Sequence, residues 1–283
     1  MKSELSISPY KPPITPLIVK ESYLNMLRKG VRPDNRDLKT PRLIEIKTGV
    51  VEKAEGSALV KLGDTQVMAG VKIDVGSPFK DTPDQGVLMV HAEFVPLASP
   101  LFEPGPPDEN AIELARVVDR SLREVNAVDL QSLVIRRGEK VWTVWVDLYV
   151  LDHNGNLYDA SMLAAMAALL DSRLPDYEEL ETGEIVVKKG VKGDPLKINT
   201  RVVTVTVAKI GDYLVVDPSL EEEAISDVRL VIAFDEKGRI VGMQKTGAGG
   251  LSFDEVDRAV EVAREASVVY FKALEESLGR AGG

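Results

Sequence analysis

Two successive blocks of β-rich segments, each closed by helical ones, constrain the fold of this chain more than any single motif does. In the first block an amphipathic helix over 18–29, ended by Gly30, precedes the charged turn Arg32-Pro33-Asp34-Asn35-Arg36, where Asn35 suits a left-handed backbone. Strands are predicted over 43–53, 58–62 and 65–73, the last two joined by the turn Gly63-Asp64. A loop dense in turn formers, 76–86, leads to a strand over 87–96. A helix over 111–125 follows, then a strand over 141–151 carrying Trp142, Trp145 and Tyr149. The turn His153–Asn156 opens a small-residue helix, Ala160–Leu170, whose alanines permit close packing. The second block repeats that grammar with strands at 184–188, 201–209 and 213–216, an acidic turn Asp217–Glu223, and strands at 227–234 and 239–245. A Gly-rich loop, 246–250, then enters a helix over 253–278 with Ser252 and Glu255 as its capping box.

Runs of strands followed by helices, without strict β-α-β alternation, point to an α+β fold rather than a doubly wound sheet. No low-complexity linker separates the blocks, so they read as two similar β-α subdomains packed as one compact unit. The expected division is an N-terminal extension and helix over 1–30, a first subdomain over 31–175 and a second over 176–283.

Composition excludes several functional classes. A hydrophobic fraction of 44% with 28% charged residues is a globular balance, and no apolar run approaches the ~20 residues that span a bilayer. The opening Met-Lys-Ser-Glu-Leu-Ser-Ile-Ser-Pro has no hydrophobic secretory segment. With no cysteine there is neither a disulfide framework nor a thiolate zinc site, which fits a reducing cytoplasm. Only His91 and His153 offer imidazoles, so no cofactor or histidine-based metal centre is expected. Four Gln and seven Asn beside 45 acidic and 35 basic residues lean toward a heat-adapted protein. The net charge of −10 disfavours a freestanding nucleic-acid binder, because neutralising phosphates supplies most of the non-specific affinity of such proteins. Any contact with nucleic acid must therefore be local.

The best candidate for such a contact is the helix that follows Pro106 and Pro107. Ile112, Ala115, Val118, Leu122 and Val125 recur there at helical spacing, with Leu114 and Val117 widening the arc. Arg116, Arg120 and Arg123 share the remaining face, and guanidinium forks bind phosphate oxygens bidentately. Ordinary surface pairs with Glu113 and Asp119 are the competing reading. Loop 246–250 lacks the Gly-Lys-Ser/Thr of a P-loop and reads better as a flexible hinge. Asp217, Glu221, Glu222, Glu223 and Asp227 offer carboxylates for magnesium, but consecutive side chains do not converge on one ion, which favours a solvated turn.

Taken in order, the Arg32–Arg36 opener, Gly56-Ser57-Ala58 before a hairpin, helix 111–123, the strand–turn–helix 141–170, Asp217…Asp227 and the final Gly-rich turn resemble the RNase PH-type phosphorolytic exoribonucleases over nearly the whole chain. Phe102–Arg123 and Val141–Trp145 look most like the non-catalytic ring subunits of the archaeal exosome. The resemblance implies an RNase PH-like fold. It also implies that active members hold the attacking phosphate on a Gly-Gly-Ser/Thr-Arg turn, which here reads Gly155-Asn156-Leu157-Tyr158. A tyrosine carries no positive charge at neutral pH and offers one hydrogen bond, so it does not replace a guanidinium fork. Of the family's acidic pair, Asp227 matches one member, while the other falls among Glu221–Glu223.

The expectation is thus a non-catalytic subunit that contacts single-stranded RNA through Arg116, Arg120 and Arg123. It would sit in a hexameric ring alternating with a catalytic RNase PH-type subunit, under caps bearing S1 or KH domains. Lys80, on loop 76–86, is a candidate for the channel side. An exoribonuclease active in its own right, kept open by Asp227, is the alternative.

Overall fold

The computed structural model describes residues 17–182 and 184–280, so the expectation for 1–16 lies outside the described residues. The first half begins with α1 (Leu17–Leu27) and the strands β1 (Ile44–Thr48), β2 (Gly56–Leu62), β3 (Thr65–Gly76) and β4 (Val87–Phe94). It continues with α2 (Glu109–Arg123), β5 (Val134–Arg136), β6 (Lys140–Asp152) and α3 (Leu157–Asp171). A two-stranded ribbon, β7 (Arg173–Glu179) and β8 (Ile185–Pro195), leads into β9 (Val202–Ile210) and β10 (Tyr213–Val216). The chain closes with α4 (Leu220–Ile225), β11 (Val228–Asp235), β12 (Ile240–Thr246) and α5 (Phe253–Arg280).

These strands build two main sheets. One has the order β1-β2-β3-β6-β4 with β5 on β6, antiparallel except for the β4–β6 pair, which is parallel because α2 lies between the two strands in the chain. The other has the order β10-β9-β11-β12 and is antiparallel throughout. Helix α3 packs on β2, β3 and β6 of the first sheet and on β9 of the second. From Leu157 to Leu169 every residue but Tyr158 is buried, so this mostly apolar helix is covered all round, as a helix between two layers must be. Small side chains let the layers approach closely: a Cβ at Gly56 would lie 2.4 Å from the Ala168 carbonyl oxygen. One continuous apolar core therefore joins both sheets to α2, α3 and α5.

Several segments differ from expectation for identifiable reasons. The first strand stops at Thr48 because Gly49 takes φ 66, and a turn at Val51–Ala54 follows. β7 was not expected, since Arg-Leu-Pro-Asp-Tyr-Glu-Glu shows no apolar alternation, and β8 runs well past 188. Ile112 is not part of the buried arc of α2 but is 50% exposed.

The acidic stretch is not a solvated turn. Ser219 and Glu222 form a capping box that starts α4, and Glu222 is 1% exposed. Its partner is Arg32, itself fully buried, which donates from Nε to Glu222 Oε1 at 2.8 Å and from its terminal nitrogens to the carbonyls of Val216 (2.7 Å) and Asp217 (2.8 Å). Truncating one member of such a pair strands a buried charge, at a cost of about 3–5 kcal/mol, whereas replacing both with apolar groups is often near neutral. Arg32→Met should therefore lower the unfolding free energy by about 3 kcal/mol or more, and Arg32→Met with Glu222→Leu should recover only part of it, because the Val216 carbonyl and the Ser219 amide still lose their partners. Chemical denaturation of the three proteins checks this. A single-variant loss under about 1 kcal/mol would show that the pair does not hold the fold.

Candidate nucleic-acid interface

A cleft of about 920 Å³ opens between α2 on one side and β11–β12 on the other, with the first turn of α3 at its base. Helix α2 is set by Asp108, whose carboxylate accepts from the Ala111 amide at 2.9 Å, and by burial of Ala111, Leu114, Ala115, Val118 and Leu122 against β4 and α3. That packing leaves Arg116 and Arg120 exposed along the cleft. Among the described residues neither guanidinium makes a hydrogen bond or ion pair, so the competing surface pair of Arg116 with Glu113 does not form. Glu113 instead accepts, at 3.5 Å, from Gln244.

Arg123 is placed differently. It donates to both Asp119 oxygens, at 3.1 and 2.6 Å, and to the Leu88 carbonyl at 2.7 Å, which braces α2 on β4.

At the base of the cleft, Gly155 takes φ 85, and a Cβ there would lie 2.4 Å from the Leu220 amide nitrogen, so only glycine lets this turn rest on the segment before α4. Asn156 follows at φ 54 and begins α3, which puts Leu157 and Tyr158 in the first helical turn. The amide at the N-cap of that helix is met by the chain itself. Glu223 accepts from the Asn156 amide at 3.0 Å and pairs with Arg229 at 2.5 Å. A carboxylate of the chain thus sits where amides and a cation would otherwise receive an anion. Burial, reinforced by the charge of Glu113, pushes the Tyr158 phenol well above the usual tyrosine range, so the ring stays neutral.

The acidic residues considered for metal binding already have partners. Asp227 pairs with Lys20 at 2.8 Å and accepts from the Gly211 amide at 2.8 Å, and it is not among the residues lining the cleft. Glu221 accepts from Tyr23, and Glu222 is taken by Arg32. These carboxylates are divided among different cations and donors and do not converge, so they do not fit a divalent ion. The Gly-rich loop 246–250 is pinned rather than hinge-like. The Gly249 amide donates to the Asp227 carbonyl at 2.9 Å, and Lys245 Nζ donates to the carbonyls of Gly247 (2.7 Å) and Gly249 (3.0 Å).

Sequence matching agrees with this geometry. Residues 40–175 match domain 1 of the 3' exoribonuclease family (RNase PH), and residues 200–266 match its domain 2. The chain belongs to the RNase PH family. The exosome complex component Rrp42 of Aeropyrum pernix is 70% identical over 97% of this chain and 99% of its own length. The protein of that name from Saccharolobus solfataricus is 48% identical over 97% of this chain and all of its own. Among solved structures, a chain of the Archaeoglobus fulgidus exosome with RNA bound to the active site superposes with a TM-score of 0.82 at 49% identity, covering 90% of this chain and 97% of that one. A rice Rrp46 shares only the fold, with a TM-score of 0.66 at 18% identity over 87% of this chain and all of its own. The RNase PH-like α+β architecture is therefore the fold of this chain.

Sequence reasoning missed a polar network beneath the cleft. Asp159 is fully buried on α3, where Oδ2 accepts from Asn156 Nδ2 (2.7 Å), the Thr206 amide (2.9 Å) and the Tyr270 hydroxyl (3.1 Å), and Oδ1 accepts from Thr206 Oγ1 (2.8 Å). An isolated Asp in an alanine-rich helix was the only available signal. Burial, aided by the neighbouring charge of Asp217 and opposed by the Asn156 and Thr206 hydrogen bonds, raises its pKa to about 7. The folded protein then holds a proton that the unfolded chain releases near pH 4, so this contribution to stability is present at low pH and is lost as pH rises from about 4 to 7. Asp159→Asn, whose amide can donate to Thr206 Oγ1, should remove that component. The stability difference between wild type and variant should change by up to ~1.4 kcal/mol per pH unit in the window and flatten above it. A difference independent of pH would mean that Asp159 is ionised throughout.

Proposed function

We propose that this chain is a non-catalytic, RNA-contacting subunit of a 3'–5' phosphorolytic exoribonuclease ring of the archaeal exosome type. The single observation that carries the reading is the divided chemistry of the cleft. Its anion-receiving turn is occupied by Glu223 and lacks a guanidinium at Tyr158, while Arg116 and Arg120 on its wall stand without partners among the described residues. Phosphorolysis needs a group that positions and stabilises inorganic phosphate, and nothing at 155–158 supplies one. Near full-length likeness to the Rrp42 relatives supports the ring assignment. In this reading the partner is a catalytic RNase PH-type subunit, alternating with this chain in a trimer of heterodimers beneath S1- or KH-bearing caps, in the cytoplasm. Subdomains over 31–175 and 176–283 form its wall, and the exposed Lys80 faces the channel. Arg116 and Arg120 hold the RNA backbone near the partner's reacting end, through phosphate and ribose rather than base edges. Arg123, already bonded to Asp119 and Leu88, keeps α2 in place.

Two experiments test the reading. The purified chain should neither degrade RNA with phosphate nor extend it with a nucleoside diphosphate, whereas co-expression with the catalytic homologue should give an equimolar ring that does both. Phosphate-dependent turnover by the chain alone, abolished by Asp227→Asn, would reverse the assignment.

Within the ring, Arg116→Glu with Arg120→Glu should weaken RNA binding by roughly 1–3 kcal/mol per lost contact and flatten its salt dependence, with assembly intact. Equal affinities and parallel salt slopes for wild-type and variant rings would take these arginines out of the RNA path.

A further inference from the structure

Ile112 is the feature of α2 that the RNA-contact reading leaves unexplained. It lies four residues before Arg116, which lies four before Arg120, so the three side chains form one line along the helix with a rise of about 6 Å per step. An isoleucine 50% exposed at the head of a line of two arginines is a poor use of an apolar side chain, yet Ile112 lines the same cleft as they do. Across that cleft, on β12, stands Met243, which is 44% exposed and also lines it. Two large exposed apolar side chains therefore flank a space that already contains two cations without partners among the described residues.

We propose that Ile112 and Met243 are the apolar lips of a seat for one RNA nucleobase, adjacent to the phosphates held by Arg116 and Arg120. This rests on the RNA-contact reading above. A single strand passing along α2 with its phosphates on the arginines turns a base toward the cleft at the Ile112 end. There the flat π-face meets a branched aliphatic side chain on one side and a polarisable thioether on the other. The contact discriminates little between bases, because every base has a π-face and neither lip offers a hydrogen bond. The seat makes the RNA contact a mixed one, with a salt-dependent part from the arginines and a salt-independent part from the lips.

The test uses the reconstituted ring with its catalytic partner and a single-stranded oligoadenylate. Ile112→Ser and Met243→Ser should each raise KM for RNA by about threefold to tenfold, less than loss of an aromatic platform would, with the change falling on KM rather than kcat. The salt slope should match that of the wild-type ring, and Ile112→Trp should restore or tighten binding. If both serine variants bind RNA like wild type while Arg116→Glu with Arg120→Glu weakens it, the seat is wrong and the RNA-contact reading stands. If the arginine variant also has no effect, the RNA-contact reading fails and the seat with it. If Ile112→Ser prevents ring assembly, as judged by the mass of the complex, Ile112 is a subunit contact and the proposal is overturned.

Discussion

The buried carboxylate of Asp217 is the interaction on which the rest of this structure hangs. Asp217 takes a left-handed backbone at φ 50 and is fully buried, where it accepts from Arg42 at 2.7 and 2.9 Å, from Arg36 at 3.1 Å and from Asn156 Nδ2 at 2.7 Å. Burial alone would raise its pKa, but the hydrogen bonds and charge of Arg42, with Arg36 behind it, hold it below the usual carboxylate range. One anion thus ties three separate pieces of chain together: the segment after α1, the turn before α3 and the segment before α4. The Arg32–Glu222 pair sits beside it and completes the same clasp. Because α4 is fixed by this clasp, Glu223, the next residue along it, is delivered to the Asn156 amide at the base of the cleft.

Much of the fold was legible from pattern alone. The β2–β3 and β11–β12 hairpins, the long β6 and the capped α5 follow from alternation, turn residues and a Ser-x-x-Glu box, all of which are local signals. β7 was not legible, because a ribbon with polar residues on both faces has no periodicity to reveal it. Glu222 and Arg32 were illegible for another reason. A run of three glutamates and a charged opener look solvated until tertiary structure brings residues 190 apart in the chain into contact and buries one member of each.

The candidate site was legible where its chemistry is carried by one helix and illegible where it depends on distance. Arg116, Arg120 and Arg123 were marked by spacing, and the Asp119 alternative for Arg123 was visible too. Spacing did not show that Arg123 would be spent on the Leu88 carbonyl while its two neighbours have no partner among the described residues, because that depends on how α2 lies over β4. Ile112 was misassigned for the same reason, since the apolar arc is wider in sequence than the strip that β4 and α3 cover. An acidic chain of net charge −10 reconciles with an RNA-path role because the exposed guanidiniums stand together on one helix, and at physiological salt charges act mainly within about 8 Å.

The central claim is that the α3 N-terminus is closed to phosphate by the chain's own carboxylate. The most direct measurement follows the backbone amide resonances of Gly155–Tyr158 in the purified protein as inorganic phosphate is added at constant ionic strength. With Glu223 seated on the Asn156 amide and Arg229, these resonances should not shift in a saturable way through millimolar phosphate, as judged against amides elsewhere on the surface. Saturable shifts confined to this turn would show an open phosphate site and contradict the account.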